Sequence, residues 1–195
     1  MSDRIKPTRI SNFLQNEDFK YLLDDVKKTC NNFTTKEYFK DLGRYDAYYS
    51  IPESIQNSIC KKINEVLKID HKIYFCKLVK YQNFEETISK LDSHKDKLLY
   101  DLIISYTVEN TLSENWPLGV DEYLFENEIN SGIIFDGKVS DHFRIGKAPK
   151  PNNEYLTILL IYTVDKNSEL AKKQLRPELF FPIVTLNPLD LEKLI

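Results

Sequence analysis

The sequence predicts a mostly β protein, an antiparallel sandwich or jelly roll flanked by two N-terminal helices. In the first third of the chain, apolar residues recur every three or four positions, as on one face of a helix. From residue 72 they instead fill short β-branched and aromatic runs between turn-like segments. Because no helix-length pattern separates these runs, a parallel βαβ sheet is not expected. We expect one domain over residues 1–195, with a helical cover over 1–70, a β core over 71–166 and a C-terminal tail over 167–195.

Two helices are predicted in the N-terminal part. The first follows Asn16, a favourable N-cap residue, and its apolar stripe consists of Phe19, Leu22, Leu23, Val26 and Cys30. The second begins at SIPE, where Ser50 and Glu53 have the spacing of a capping box. Its stripe consists of Ile55, Ile59, Ile63, Val66 and Leu67. Neither helix has chemistry of its own, so we expect both to cover a sheet.

Five segments are predicted as strands: KIYFCKLVKY, YDLIISYTVE, SGIIFDG, SDHFR and YLTILLIYTVD. The dipeptide Asp136-Gly137 lies between the third and the fourth. It predicts a tight hairpin, because glycine tolerates the positive φ that such turns require. These two strands are therefore expected to be neighbours.

Composition and charge limit the possible functions. A net charge of −3 argues against a general phosphate-backbone binder, so we expect no nucleic-acid partner. The odd number and wide spacing of Cys30, Cys60 and Cys76 are typical of reduced intracellular thiols. No signal-like N-terminus and no apolar run of membrane-spanning length is present. We therefore expect a soluble, cytoplasmic protein without a membrane partner.

The motif His94-x-Asp96 is a candidate half of a metal site, in a chain that has only 3 histidines. Alternate side chains of a strand point to the same face, so both groups would face inward if this segment is extended. One imidazole and one carboxylate can occupy adjacent positions on an octahedral ion. So short a motif has low specificity, and a third ligand must come from elsewhere.

His142 can supply that third ligand. It lies in the second arm of the predicted hairpin, which can return beside the strand near His94. Two histidines and one carboxylate with open positions form the facial triad of non-haem Fe(II) oxygenases. Three protein ligands leave three positions for a cosubstrate and O₂, whereas a closed structural zinc site leaves none.

From KLVKY near residue 77 to IYTVDK at 166, about half of the chain resembles the 2-oxoglutarate/Fe(II)-dependent dioxygenases. The order of the parts is similar: VKYQNF before HKDK, the strand YDLIISYTVEN directly after it, and then a WPL segment. SGIIFDGKVSDHFR is similar to the family's strand pair with its second histidine, and the long strand YLTILLIYTVD follows. The resemblance implies a double-stranded β-helix, a cupin-like jelly roll, within an α+β protein with two covering helices.

The resemblance also implies an activity. His94, Asp96 and His142 match the family's iron ligands. Fe(II) would be the metal and 2-oxoglutarate the cosubstrate. The reaction would hydroxylate a small molecule or a peptide side chain with O₂, and it would release succinate and CO₂. The identity of the substrate and the oligomeric state stay open.

The anchor for the distal carboxylate of 2-oxoglutarate departs from the family pattern. Family members commonly have an arginine or lysine about ten residues beyond the second histidine, where this chain has Asn152. Arg144 shares the inward face of an extended strand with His142, and its planar guanidinium suits a carboxylate. We therefore favour Arg144, with Lys150 as the second candidate.

Three aromatic residues complete the candidate site. The hydroxyls of Tyr81 and Tyr106 could donate hydrogen bonds to the same carboxylate, and Trp116 could line the entrance for the substrate. Each also has an ordinary interpretation as a packed core side chain. Asp92, Asp101 and Asp141 flank the ligands and could accept a hydrogen bond from a ligand histidine.

Two alternatives stay open at this point. A cupin-like barrel could bind a metal or a small ligand without turnover, and Asn152 is the feature that favours it. In the other, the protein binds no metal, and His94 and Asp96 lie in a surface turn among Lys90, Lys95 and Lys97.

Overall fold

The structure is a computed structural model, and it describes residues 5–34, 37–84, 88–96, 100–151 and 153–172. Strands make up most of the regular structure. The elements are β1 (Thr8–Ile10), α1 (Asn16–Asn31), β2 (Tyr38–Phe39), β3 (Arg44–Tyr48), α2 (Glu53–Leu67), β4 (His71–Gln82), β5 (Leu102–Asn110), β6 (Leu118–Val120), β7 (Tyr123–Phe125), β8 (Ser131–Phe135), β9 (His142–Arg144), β10 (Tyr155–Asp165) and α3 (Glu169–Lys172).

The strands form two antiparallel sheets. The larger has the order β1-β8-β5-β10-β4-β3-β2, and the smaller has the order β7-β6-β9. Side chains from both sheets share one hydrophobic cluster, in which Leu118 and Val120 of β6 meet Ile133 and Phe135 of β8. The predicted jelly roll is therefore confirmed, and its interior lies between the two sheets.

The other face of the large sheet is covered by α1 and α2, as predicted. Ile55, Ile59 and Ile63 of α2 are fully buried against this face. The expected caps are wrong, because the N-cap residues are Gln15 and Pro52, and neither makes a side-chain capping hydrogen bond.

The first 70 residues also contribute strands that were not predicted. The strands β1, β2 and β3 join the two edges of the large sheet, with β1 beside β8 and β3 beside β4. They are only 3, 2 and 5 residues long, which is too short for a clear period-2 pattern.

The chain turns after Asp136, where the amide of Ser140 donates to the carbonyl of Asp136 at 2.9 Å. The predicted hairpin is nevertheless wrong, because β8 and β9 belong to different sheets. Gly137 is also not among the residues with positive φ, so backbone strain does not explain the glycine.

Parts of the sequence-based predictions lie outside the described residues. These are Asn152, Lys97 and the tail from residue 173 onward. Within the described segments, no helix combines the length and the hydropathy that crossing a membrane requires.

The buried face of α2 gives a test of the fold. Ile59 is 0% exposed in the core, whereas Val66 on the same helix is 42% exposed. Ile59→Ala should lower the free energy of unfolding by about 2–5 kcal/mol, because it leaves a cavity in a packed core. Val66→Ala should have a much smaller effect in the same urea titration. Equal losses for the two variants would contradict the packing of α2 against the sheet.

Candidate metal centre

The side chains of His94, Asp96 and His142 converge on one point. Their possible ligand atoms all lie within 4.8 Å of one another. Asp96 Oδ1 is 3.7 Å from His94 Nε2 and 3.6 Å from His142 Nε2. Ligands at about 2.1 Å from an ion can be up to about 4.2 Å apart, so one divalent ion can contact Asp96 Oδ1 and either histidine.

Backbone pairing places the two histidines side by side. His94 and His142 form an antiparallel bridge and exchange both hydrogen bonds, with N–O distances of 3.2 and 2.9 Å. Their ring centroids are 4.2 Å apart. The segment near His94 thereby extends the small sheet on the open side of β9. The expectation that the arm with His142 returns beside His94 is confirmed.

Backbone carbonyls orient both imidazole rings. His94 Nδ1 lies 2.7 Å from the carbonyl oxygen of Asp92, and His142 Nδ1 lies 3.2 Å from that of Ser140. A carbonyl can only accept a hydrogen bond, so Nδ1 carries a proton in each ring, and in the neutral imidazole Nε2 then keeps its lone pair for a metal. Two expected carboxylate acceptors are paired elsewhere: Asp101 lies near Lys138 and Asp141 near Lys95.

The centre has a closed side and an open side. The His142 side chain is 7% exposed and that of Asp96 16%, whereas that of His94 is 41% exposed. Burial lowers the pKa of His94, which favours the neutral form that binds metals. Burial alone would raise the pKa of Asp96, but His142 and Tyr100 outweigh it and the pKa is lowered. The carboxylate is therefore ionised near neutral pH.

Two residues of the centre were missed from the sequence. The Tyr100 hydroxyl donates a short hydrogen bond to Asp96 Oδ2. A Cβ atom at Gly137 would lie 2.8 Å from Asp96 Oδ2, and closer still to the Tyr100 hydroxyl. The glycine is thus needed for space beside the carboxylate. Tyr100 is the first residue of the predicted strand YDLIISYTVE, and no sequence motif marks it.

Arg144 lies in the interior of the jelly roll and is 8% exposed. Its Nη1 donates to the carbonyl of Trp116 and to Asn127 Oδ1, both at 2.8 Å. Its Nε is buried, and no described residue accepts a hydrogen bond from it. No carboxylate is among its described partners, and burial lowers the pKa of this guanidinium. A buried cation without a paired carboxylate is costly.

Arg44 is a second interior cation, which sequence reasoning missed because the strand that contains it was not predicted. Unlike Arg144, it is paired: its Nε and Nη2 lie 2.9 and 3.1 Å from the carboxylate oxygens of Asp46. Lys77 also contacts Asp46, at 2.5 Å. The two guanidinium groups each lie 5.5 Å from the ring of Tyr81, and Arg44 Nη1 lies 3.1 Å from its hydroxyl oxygen. Tyr81 therefore faces the interior, as expected.

Three other predicted site residues do not have the expected positions. Tyr106 lies on the helix-covered face of β5, where its hydroxyl donates to Asn130 at 2.8 Å, so it cannot reach an interior ligand. Lys150 is 58% exposed and pairs at the surface with Ser113 and Glu154. Trp116 is buried edge-on against Tyr81, with ring centroids 5.0 Å apart, and does not line an open entrance.

Comparisons by sequence and by structure give different results. No protein-family model and no curated protein matches the chain. Among solved structures, the α-ketoglutarate-dependent epimerase SnoN from nogalamycin biosynthesis is similar at a TM-score of 0.66 and 8% identity, covering 83% of this chain and 78% of that one. A prolyl hydroxylase from Trichoplax adhaerens has a TM-score of 0.57 at 11% identity, covering 86% of this chain and 87% of that one.

The protein EctD from S. alaskensis, solved with bound Fe, is also similar. Its TM-score is 0.59 at 11% identity, and the match covers 84% of this chain and 74% of that one. Identities this low establish the fold and leave the chemistry to the site. The chain has the double-stranded β-helix fold of the 2-oxoglutarate/Fe(II)-dependent oxygenases, and its interior contains a His-Asp-His group able to hold a metal ion.

Proposed function

We propose that the protein is an Fe(II)- and 2-oxoglutarate-dependent oxygenase that hydroxylates a small molecule or a peptide side chain and releases succinate and CO₂. The observation that supports this most is the convergence of two imidazole Nε2 atoms and one carboxylate in this fold. Two histidines and one carboxylate suit Fe(II) and leave open positions on it.

His94, Asp96 and His142 would hold the metal. When bound, iron and the oxoacid supply the oxidising chemistry, which no side chain of this centre can perform. The chain contributes ligand geometry: the carbonyls of Asp92 and Ser140 fix the two rings, and the bridge between His94 and His142 fixes their spacing. Because the backbone makes these contacts, the fold itself fixes the positions of both rings.

Arg144 would bind the distal carboxylate of 2-oxoglutarate. It follows His142 by two positions on β9, about 6.6 Å along a strand and on the same face, which suits a five-carbon diacid. Its buried Nε has no partner, and its charge has no counter-ion among the described contacts. A carboxylate would remove the cost of that unpaired charge. Arg44 is a weaker candidate because Asp46 already neutralises it.

Water exclusion follows from burial on the inner side of the centre. Phe135 of β8 is 1% exposed and its ring centroid lies 5.1 Å from that of His142, and Val120 of β6, 0% exposed, is the strand partner of His142. The more exposed His94 marks the side from which a substrate would approach. Among the similar structures, SnoN is in complex with nogalamycin RO and the prolyl hydroxylase with a peptide fragment, so small molecules and peptides are both candidate substrates.

A metal-binding barrel without turnover is the second candidate. The observation that favours it is Asn152, at the position where the resembled enzymes commonly have a basic residue. Anaerobic addition of Fe(II) and 2-oxoglutarate separates the two candidates. An oxygenase should develop the visible charge-transfer band of the iron–oxoacid chelate, and a barrel without an oxoacid pocket should not.

The first test compares two histidines. His94→Ala removes a metal ligand and should abolish succinate release that depends on Fe(II) and 2-oxoglutarate. It should also remove the rise in melting temperature that Mn(II) produces, because a ligand that binds only the native state stabilises it. His71→Ala removes a histidine that contacts Thr163 instead, and it should retain both properties. Turnover that survives in His94→Ala would rule out the proposed centre.

The second test compares two cations. Arg144→Gln removes the charge that faces the interior and should weaken 2-oxoglutarate binding by about 10- to 100-fold, since a charge-assisted pair contributes roughly 1.5–3 kcal/mol. Mn(II) binding should stay close to that of the unaltered protein. Lys150→Gln changes a surface cation and should leave both affinities unaltered. If isothermal titration shows the loss of 2-oxoglutarate affinity in Lys150→Gln and not in Arg144→Gln, Arg144 is not the anchor.

A further inference from the structure

The two oxygens of the Asp96 carboxylate have different environments. Oδ1 faces both histidines, at 3.7 Å from His94 Nε2 and 3.6 Å from His142 Nε2. Oδ2 accepts the hydrogen bond from the Tyr100 hydroxyl. Only one oxygen of the carboxylate is therefore directed at the metal position.

Packing holds the Tyr100 hydroxyl in this position. Tyr100 is 1% exposed, and its ring lies edge-on to Tyr162 with centroids 4.8 Å apart. Tyr162 in turn stacks on Phe75 at 4.1 Å. The backbone of Asp96 is also fixed, because its amide donates to the carbonyl of Gly137 at 2.8 Å. Neither partner of the hydrogen bond can move without disturbing the sheet interior.

The distinction matters because a carboxylate can bind a metal through one oxygen or through both. Three protein ligands with one atom each leave three positions on a six-coordinate ion. If Asp96 used both oxygens, it would take one of these positions. The oxoacid needs two positions and O₂ needs one, so no position is spare.

We propose that Tyr100 is a positioning residue whose hydroxyl restricts Asp96 to one metal-facing oxygen and so keeps a coordination position open. The need for an open coordination position rests on the proposed function. The restriction of Asp96 to one metal-facing oxygen would apply to any divalent metal at this centre. Gly137 assists, because any side chain there would push Tyr100 and Asp96 apart.

Tyr100→Phe tests this, since it keeps the ring and removes only the hydroxyl. The visible spectrum of bound Co(II) should change in this variant, because a second carboxylate oxygen replaces a metal-bound water and alters the ligand field. The affinity of the Mn(II)-loaded protein for 2-oxoglutarate should fall, because the oxoacid would have to displace that second oxygen. The affinity for Mn(II) itself should change less than the affinity for the oxoacid.

Tyr106→Phe is the matched control, because it removes a buried tyrosine hydroxyl from the other face of the sheet, and it should match the unaltered protein in all three measurements. Gly137→Ala should reproduce the changes of Tyr100→Phe, and it serves as the test if that variant does not fold. An unaltered Co(II) spectrum in a folded variant would overturn the proposal, as would a larger loss of Mn(II) affinity than of oxoacid affinity. If the unaltered protein binds metal but no oxoacid, the proposed function fails while the Co(II) comparison still tests the restriction.

Discussion

The candidate centre depends on one backbone contact, the antiparallel bridge between His94 and His142. The segment around His94 has no other strand character, and it is attached to β9 by this pair and by the hydrogen bond from the Arg144 amide to the carbonyl of Leu91. The alternation of side chains along a strand then sets the directions of the neighbouring residues. With His94 and His142 opposite each other, Asp96 and Arg144 must point into the same interior.

The interior contains two buried arginines that differ in whether a carboxylate pairs with them. Arg44 is neutralised by Asp46, and Lys77 shares that carboxylate, so this group links β3 to β4. The described hydrogen-bond partners of Arg144 include no carboxylate; they are the carbonyl of Trp116, the side-chain amide oxygen of Asn127 and the side chain of Tyr81. Burying a charge without a counter-ion is costly, so a fold that retains one has a use for it that stability does not explain.

Much of this was predictable from the sequence, and the failures have physical causes. The long strands and both helices have a period that the chain repeats several times, and the triad has recognisable residue types. Tyr106 was misplaced because both faces of β5 are buried, so hydrophobicity does not distinguish them. Tyr100 and Gly137 act through a contact between segments that are far apart in the sequence, and a turn propensity suggested the wrong role for the glycine.

The weak dependence of this fold on particular residues explains why structural comparison finds similar folds where sequence comparison finds no match. A two-sheet barrel requires apolar volume and alternation at its interior positions, and many residue combinations meet that requirement. The centre adds few further requirements, because backbone carbonyls and not side chains orient His94 and His142. Its sequence signal is then reduced to three ligands, one hydroxyl and one glycine. A site built this way needs few specific side chains, since most of its geometry belongs to the backbone of the fold.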